Sequence, residues 1–425
     1  MTFEPEKSMA SRVVITGLGI VSPIGIGVSS FWKAALKGQT GITAISSFGD
    51  FPMESYRSRV AGQVSHFQLP DPSEDKFSSR VDRYAQFALA ATREAIQDSG
   101  LCLAKERAER IGVMAGVGMG GMMMGERELT TLYQSQKPHR VHPNFIPTIT
   151  LNSASGILAL AFGAKGPNLT ISTACSSSIH SIGQAMQAIR LGQADVVIAS
   201  GADASITPLV FAGFCSLRAL STKYNDHPDK ASRPFDRGRD GFVMGEGAGT
   251  LIVESLRHAT RRKARIYAEL IGYAATSEAY HMVIPREDGS DIARTVSLAL
   301  KDAGVSPAQV DYVNAHATST VVGDDVEVKG LRAVLGKRLN TIVVNATKSL
   351  IGHTLGAAGA IGTIVSALSL QTGILHPTVN YDDPDPHCAL PGISNKVQKK
   401  SVRVGLVNAF GFGSNNAVLV LKKFS

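Results

Sequence analysis

Cysteine is scarce in this chain of 425 residues, and the four present (Cys102, Cys175, Cys215 and Cys388) lie far apart with no Cys-x-x-Cys pair. That spacing argues against a disulfide framework and against a cysteine-rich metal site. Charged residues make up 18% of the chain, below the ~25% of an average globular protein. Long hydrophobic runs are missing too. The longest apolar stretches, such as 361–370, fall short of the ~20 residues that span a bilayer. The first dozen residues hold two glutamates, a lysine and no apolar run, which is not the pattern of a signal peptide. The expectation is a soluble protein of a reducing compartment, with no membrane association: the cytoplasm, or an organelle stroma or matrix in a eukaryote.

What is abundant is glycine, at 42 residues, within a composition that is 44% apolar. This is the make-up of a large, well-buried scaffold with many close backbone approaches. The basic residues outnumber the acidic ones, 43 to 35, for a net charge of +8. One run, Arg257-His-Ala-Thr-Arg-Arg-Lys-Ala-Arg265, contains five of them and no acid. Interleaved aromatics, a helix-turn-helix and a zinc motif are all absent, so no nucleic-acid partner is expected. The run reads as a solvated basic face, and a basic surface can steer an acidic protein partner.

Five short apolar, β-rich segments (13–16, 111–115, 169–172, 194–199 and 250–253) are followed by five more in the same style (266–271, 310–314, 341–345, 402–407 and 417–421). Apolar runs bounded by glycine and polar turns are strands buried on both faces. Helical patterns lie between most of them. Ile179, Ile182, Met186 and Ile189 fall on one helix face, and 355–368 forms a helix rich in glycine and alanine that suits close packing between layers. The chain is expected to be α/β and duplicated: an N-terminal extension at 1–11, a first half at 12–260 and a second half at 261–425. Paired halves place one site at their junction.

Thr173-Ala-Cys175-Ser-Ser-Ser178 falls between a strand and a helix. A cysteine at a helix N-terminus meets the positive end of the dipole and free N–H groups, which favour the thiolate and offer an oxyanion site. Spacing alone leaves Cys175 balanced between a nucleophile and a small buried hydrophobe. Two of the eleven histidines directly follow buried strands, His316 after Tyr312-Val-Asn-Ala315 and His353 before the small-residue helix. Taken alone, each reads as a satisfied core histidine; two such sites in one half, with a matching cysteine site in the other, shift the balance toward chemistry. Gly116-Val-Gly-Met-Gly-Gly121 fits a dinucleotide fingerprint literally, but no strand ending in an acid follows ~20 residues on. It reads as a pocket wall lined by methionines.

From about Arg12 to Lys423 the chain resembles the elongating β-ketoacyl-acyl-carrier-protein synthases of the thiolase-like superfamily. The motifs are Val14-Ile-Thr-Gly-Leu-Gly19, Thr173-Ala-Cys-Ser-Ser-Ser178, Ser232-Arg-Pro-Phe-Asp236 with Arg239-Asp-Gly-Phe-Val-Met-Gly-Glu-Gly-Ala248, Asn314-Ala-His-Ala-Thr-Ser-Thr320, Thr347-Lys-Ser-Leu-Ile-Gly-His353 and Asn408-Ala-Phe-Gly-Phe-Gly-Ser-Asn415. The resemblance implies a layered αβαβα fold with two mixed five-stranded sheets. It implies Cys175 as the acyl-bearing nucleophile, with His316, His353 and Lys348 completing the catalytic set. Asp324 and Glu327 would be the acidic partners of Lys348. The Cys175 and Phe412 amides would form the oxyanion hole, and Phe412 would gate the thiol. Thr318 and Thr320 would bind the phosphopantetheine arm, while Met119, Phe145 and Phe410 would contact substrate. Neither cofactor nor metal would be required. The implied partners are an acidic acyl carrier protein, presenting acyl and malonyl groups, and a second copy of the chain, paired through a central strand of the first half, with the Phe145 loop reaching the neighbour's acyl pocket.

Two departures stand out: Ser414-Asn415 replaces the usual Gly-Thr, and Ala317 stands where bacterial members often have glycine. A degradative thiolase would carry a second cysteine near the C-terminus, where this chain has Asn408-Ala-Phe-Gly-Phe. The initiating synthases pair their cysteine with His and Asn, whereas this chain has His353. A non-catalytic chain-length partner would lack Cys175. The remaining alternative is a polyketide ketosynthase, which shares every motif.

Overall fold

The computed structural model describes residues 12–49, 51–69 and 81–425. The extension expected at 1–11 lies outside the described residues. All ten expected strands form. The first half contains β1 (Val13–Ser22), β2 (Ile111–Gly116), β3 (Asn168–Ile171), β4 (Val196–Asp203) and β5 (Gly247–Ser255). The second contains β6 (Ala268–Ser277), β7 (Tyr312–Asn314), β8 (Val343–Asn345), β9 (Val404–Gly411) and β10 (Asn415–Lys422). The first five hydrogen-bond in the order β1-β5-β4-β2-β3, and the second five in the order β6-β10-β9-β7-β8. Within each set the first two neighbours are antiparallel and the last two parallel. Identical order and direction establish the duplication. The two sheets meet where β1 runs antiparallel to β6, with Val13 opposite Leu270.

β1, β4 and β5 are buried along their whole length, because helices cover both faces. Helix α1 (Arg83–Ser99) covers the outer face of the first sheet, and α3 (Ser290–Ala303), backed by α4 (Val321–Leu335), covers that of the second. Between the sheets lie α2 (Ser177–Arg190) and α5 (Ala358–Thr372), which pack on each other. The predicted face of α2 is fully inside: Ile179, Ile182, Met186 and Ile189 are all buried. The small residues of α5 let the two helices touch. A Cβ on Gly359 would sit 2.5 Å from Ile179 Cγ1. The stretch Leu355–Thr372 is apolar and long enough to cross a membrane by composition, yet 83% of it is buried between the sheets. It is the central layer of the fold.

The basic run does more than face solvent. It forms a helix, Leu256–Arg261, and the segment after it. His258 lies between Glu254 and Glu106, Arg262 pairs with Glu254 and donates to Ser99 O at 2.8 Å, and Arg265 pairs with Asp98. These contacts tie β5 to α1, so part of the expected basic face is structural. Hydrogen bonds to the two carboxylates, Glu254 first, raise the His258 pKa above 6.5. A raised folded value means the stabilisation is complete below the unfolded pKa and disappears as pH rises through the folded one. His258→Gln is therefore expected to lower the melting temperature most at about pH 6 and progressively less in alkaline buffer. A melting-temperature gap that stays constant across that range would contradict this account.

Candidate active site

The turn that carries Cys175 is built by local hydrogen bonds. Ala174 takes a left-handed φ of 52°, uncommon for a residue with a Cβ, and throws Cys175 into the junction just before α2 begins at Ser177. The three serines explain how the turn is held. Ser176 Oγ donates to Thr173 O at 2.8 Å, Ser177 Oγ accepts from Thr173 N–H at 2.9 Å, and Ser178 Oγ accepts from Ala360 N–H at 2.9 Å. The last bond links the turn to α5 in the other half.

The β9–β10 turn lies directly against it. Gly411 is packed so tightly that a Cβ there would meet Thr173 O at 2.6 Å and Cys175 N at 3.2 Å. This closeness brings the Phe412 amide, and the amide of Cys175 itself, into hydrogen-bonding reach of the thiol. Burial nevertheless dominates. It pushes the Cys175 thiol up to about 11, against the pull of Lys348 and the Phe412 amide. The depressed thiol expected from the helix terminus is thus reversed in the closed pocket, where desolvation of a thiolate outweighs the nearby donors. The resting sulfur is protonated and needs an acceptor for its proton.

Two imidazoles stand beside it. Cys175 Sγ and one ring nitrogen each of His316 and His353 lie within 4.8 Å of one another. The two rings meet edge-on with centroids 5.5 Å apart, flanked by Phe410 at 5.6 Å from His316 and Phe242 at 5.6 Å from His353. Burial, and then the Lys348 charge, hold both pKa values well below 6.5, so both rings are neutral at neutral pH. The Leu355 N–H donates to His353 Nδ1 at 3.3 Å. His353 therefore carries its proton on Nε2, which is buried without a partner. His316 Nδ1 is likewise unpartnered. A Cys–His–His set can hold zinc, but a metal needs the Nε2 lone pair that this tautomer occupies with hydrogen.

Lys348 is buried and donates to the backbone oxygen of His316. Burial lowers its pKa to about 8, opposed by Glu327, Cys175 and Asp324. Among the described residues neither carboxylate forms an ion pair with it. Glu327 instead accepts from the N–H groups of His316 at 2.8 Å and Ala317 at 2.7 Å, and from Asn408 Nδ2 at 2.9 Å. Asp324 accepts from the amides of Ser319 at 3.0 Å and Phe235 at 2.9 Å, and faces Arg239 at 3.8 Å. The expected lysine clamp is therefore a backbone clamp. It is needed because Ala317 and Ser319 have φ of 44° and 70°. Glycine would adopt such angles freely, and alanine at 317 costs roughly 1–2 kcal/mol that the Glu327 bond offsets.

These groups open into a mostly apolar cavity of about 320 Å³. Met119, Thr318, Thr320, Phe410 and Phe412 line it, as expected. Thr320 also caps α4 by accepting from Gly323 N–H at 3.2 Å, and its hydroxyl lies 2.9 Å from that of Thr318. Phe145 sits in the short helix Phe145–Ile149 and lines no part of its own chain's cavity. The sequence did not single out Phe214 and Phe242, which wall the cavity, or Asp203, whose one visible signal was an acid closing a buried strand. The amides of Gly118 and Met119 in the glycine-rich loop are engaged by Asp203 at 2.9 Å, so they are not free to cradle a phosphate.

Comparison with known proteins agrees with this geometry. Residues 10–259 match the model of the beta-ketoacyl synthase N-terminal domain, and residues 267–382 that of its C-terminal domain. The chain is 43% identical over 415 residues to a 3-oxoacyl-[acyl-carrier-protein] synthase 2 of Vibrio harveyi, covering 97% of this chain and 99% of that one. It is 44% identical over 417 residues to the protein of the same name from Staphylococcus aureus strain COL, covering 98% and 99%. Among solved structures, a type II PKS acyl-carrier protein in complex with its ketosynthase, bound to a hexaketide, superposes with a TM-score of 0.90 at 35% identity, covering 97% and 99%. A beta-ketoacyl synthase from Burkholderia phymatum also gives 0.90, at 31% identity, covering 97% and 100%. A Cys–His–His centre at the junction of two duplicated halves, with both domain models matched in order, places this chain in the beta-ketoacyl synthase family.

Proposed function

We infer that the protein is an elongating 3-oxoacyl-acyl-carrier-protein synthase of fatty acid synthesis. The observation that carries the reading is a thiol and two neutral imidazoles within 4.8 Å of one another in an apolar cavity. In the first half-reaction Cys175 sulfur attacks the thioester carbon of an acyl carrier protein. The thiol proton leaves for an imidazole, the carbonyl oxygen enters the Cys175 and Phe412 amides, and the carrier departs as its free thiol. In the second, malonyl carrier loses CO₂, and the enolate oxygen accepts from the histidine pair, including His353 Nε2–H. The enolate carbon then attacks the acyl-cysteine, the C–S bond breaks to give 3-oxoacyl carrier and the Cys175 thiolate, and the thiolate takes up one proton from solvent to return to the resting thiol. Lys348 holds the His316 backbone, and burial, with the Lys348 charge added to it, keeps both rings unprotonated. The sequence is redox-neutral and closes without cofactor or metal.

The partners proposed are acyl and malonyl carrier proteins, whose acidic surfaces suit a chain of net charge +8, and a second copy of the chain. Among the described residues, β3 ends the main sheet order in the first half and pairs with one strand, β2, whereas β1, β5, β4 and β2 each have two strand neighbours in that order. In place of the central strand expected from the resemblance, the free edge of β3 supports pairing through that strand. Leu169 on it and Leu160 in the neighbouring helix are 49% and 66% exposed, as suits a C₂ interface. Phe145 is proposed to reach the partner's cavity. Four free cysteines fit a cytoplasmic setting. A polyketide ketosynthase is the second reading, favoured by the likeness to the hexaketide-bound structure. Steady-state condensation of labelled malonyl carrier with saturated acyl carriers, run over a dilution series alongside sedimentation, tests these points. Labelled 3-oxoacyl carrier formed by a dimer is expected. Turnover only with poly-β-keto chains would favour the second reading, and full activity in a monomer would remove the dimer.

A further inference from the structure

Asp203 closes β4 and is completely buried, yet no role in the condensation falls to it. It has no cationic partner among the described residues. Its carboxylate is satisfied by backbone alone: Oδ2 accepts from Gly118 N–H at 2.9 Å and Gly356 N–H at 2.6 Å, and Oδ1 from Met119 N–H at 2.9 Å. These amides come from opposite halves. Gly118 and Met119 wall the cavity in the first half, while Gly356 belongs to the turn between His353 and α5 in the second. The neighbouring amide in that turn, Leu355 N–H, is the donor that sets the His353 tautomer. Leu355 itself has a strained φ of 48°, which something must hold. There is no slack around it, since a Cβ on Gly356 would meet Gly118 N at 2.4 Å and Asp203 Oδ2 at 2.6 Å.

We propose that Asp203 is a positioning residue for decarboxylation. It anchors the Leu355–Gly356 turn so that the Leu355 N–H faces His353 Nδ1 and the His353 proton stays on Nε2, aimed at the substrate. The inference rests on the condensation reading above. A carboxylate is required because only it accepts on both oxygens; an asparagine would turn its NH₂ toward amides that also donate. The reacting thiol gains nothing from Asp203, whose negative charge raises the Cys175 pKa. Decarboxylation and acylation should therefore respond differently.

The test is Asp203→Asn, read three ways. In protein carrying ¹⁵N-histidine, with the His353 signals identified by their loss in His353→Ala, wild type is expected in the Nε2–H form and Asp203→Asn in a mixture of tautomers. Decarboxylation of malonyl carrier should fall on the order of 10²-fold, as for a misplaced donor, while acylation by a short acyl carrier stays within about threefold of wild type. A variant with unchanged tautomer and unchanged CO₂ release overturns the proposal. Should the variant not fold, wild type supplies the second measurement. Burial raises Asp203 to about 6, opposed by its amide donors. The titratable groups beside it, Cys175, Tyr84 and His353, stay neutral near that pH. Decarboxylation and the Nε2–H signal should be lost together as pH falls through about 6; a flat profile down to about pH 5 overturns the proposal. Absence of CO₂ release by wild type itself would fault the condensation reading instead.

Discussion

Replacing Cys175 by alanine is expected to abolish acyl uptake: intact-protein mass after incubation with acyl carrier should show one added acyl group in wild type and none in the variant. The effect on condensation should be at least about 10⁴-fold, since the nucleophile of a covalent mechanism has no substitute. The structure explains why the other thiols cannot take over. Cys215 and Cys388 are buried away from the cavity and Cys102 is exposed on the surface, while only Cys175 lies against two imidazoles and two amide donors. Its thiol rests protonated, so its reactivity comes from the site as substrate arrives. An acyl thioester places its carbonyl oxygen at the Cys175 and Phe412 amides, and a neutral imidazole takes the proton. Acyl mass mapped to Cys102 would defeat the assignment. Cys175→Gln separates the halves of the reaction further. Its amide occupies the place of the acyl-sulfur group, blocks acylation and leaves both histidines intact, so CO₂ release from malonyl carrier should continue.

The strands and the duplication were readable because strands covered on both faces are written as continuous apolar runs, and the chain repeats them in order. Cys175, His316 and His353 were visible as polar interruptions at the ends of such runs, but each carried a bland alternative until the motifs were taken together. The directions of the charges were less readable. A helix terminus at Cys175 pointed to a thiolate, whereas the pKa of a buried group depends on how much water the tertiary fold removes, which no local pattern records. Asp324 and Glu327 show the same gap. Their spacing on α4 was clear, but their partners are amides of the strained 316–319 loop, and positive φ at Ala317 and Ser319 is not legible in residue type. Asp203 was missed for a related reason. Its ligands come from segments more than 80 residues away on either side.

Loss of either histidine should strike decarboxylation hardest. When CO₂ leaves malonyl carrier, the electron pair of the broken C–C bond moves toward the thioester oxygen, and the barrier depends on donors already aimed at that oxygen. His353 supplies one by construction, its Nε2–H unpartnered at rest because Leu355 N–H occupies Nδ1. His316 stands across from it, its backbone held by Glu327 and Lys348 and its ring braced edge-on by His353 and Phe410. Both rings are neutral, which matters: an imidazolium would already have given up the capacity to accept the Cys175 proton in the other half-reaction. His316→Ala and His353→Ala are therefore each expected to slow CO₂ release on the order of 10²–10³-fold, the typical cost of one oxyanion donor. Acylation needs the amide pair and one proton acceptor, and because His353 has Nδ1 occupied and Nε2 protonated that acceptor is His316. His353→Ala should therefore still load an acyl group at a reduced rate, whereas His316→Ala should load far more slowly. Removing both should stop it. The measurement is CO₂ release from carboxyl-labelled malonyl carrier, run beside acyl loading of the same preparations. Wild-type CO₂ release from His353→Ala would mean that the enolate oxygen is stabilised elsewhere, and the role drawn from the Leu355 contact would fall with it.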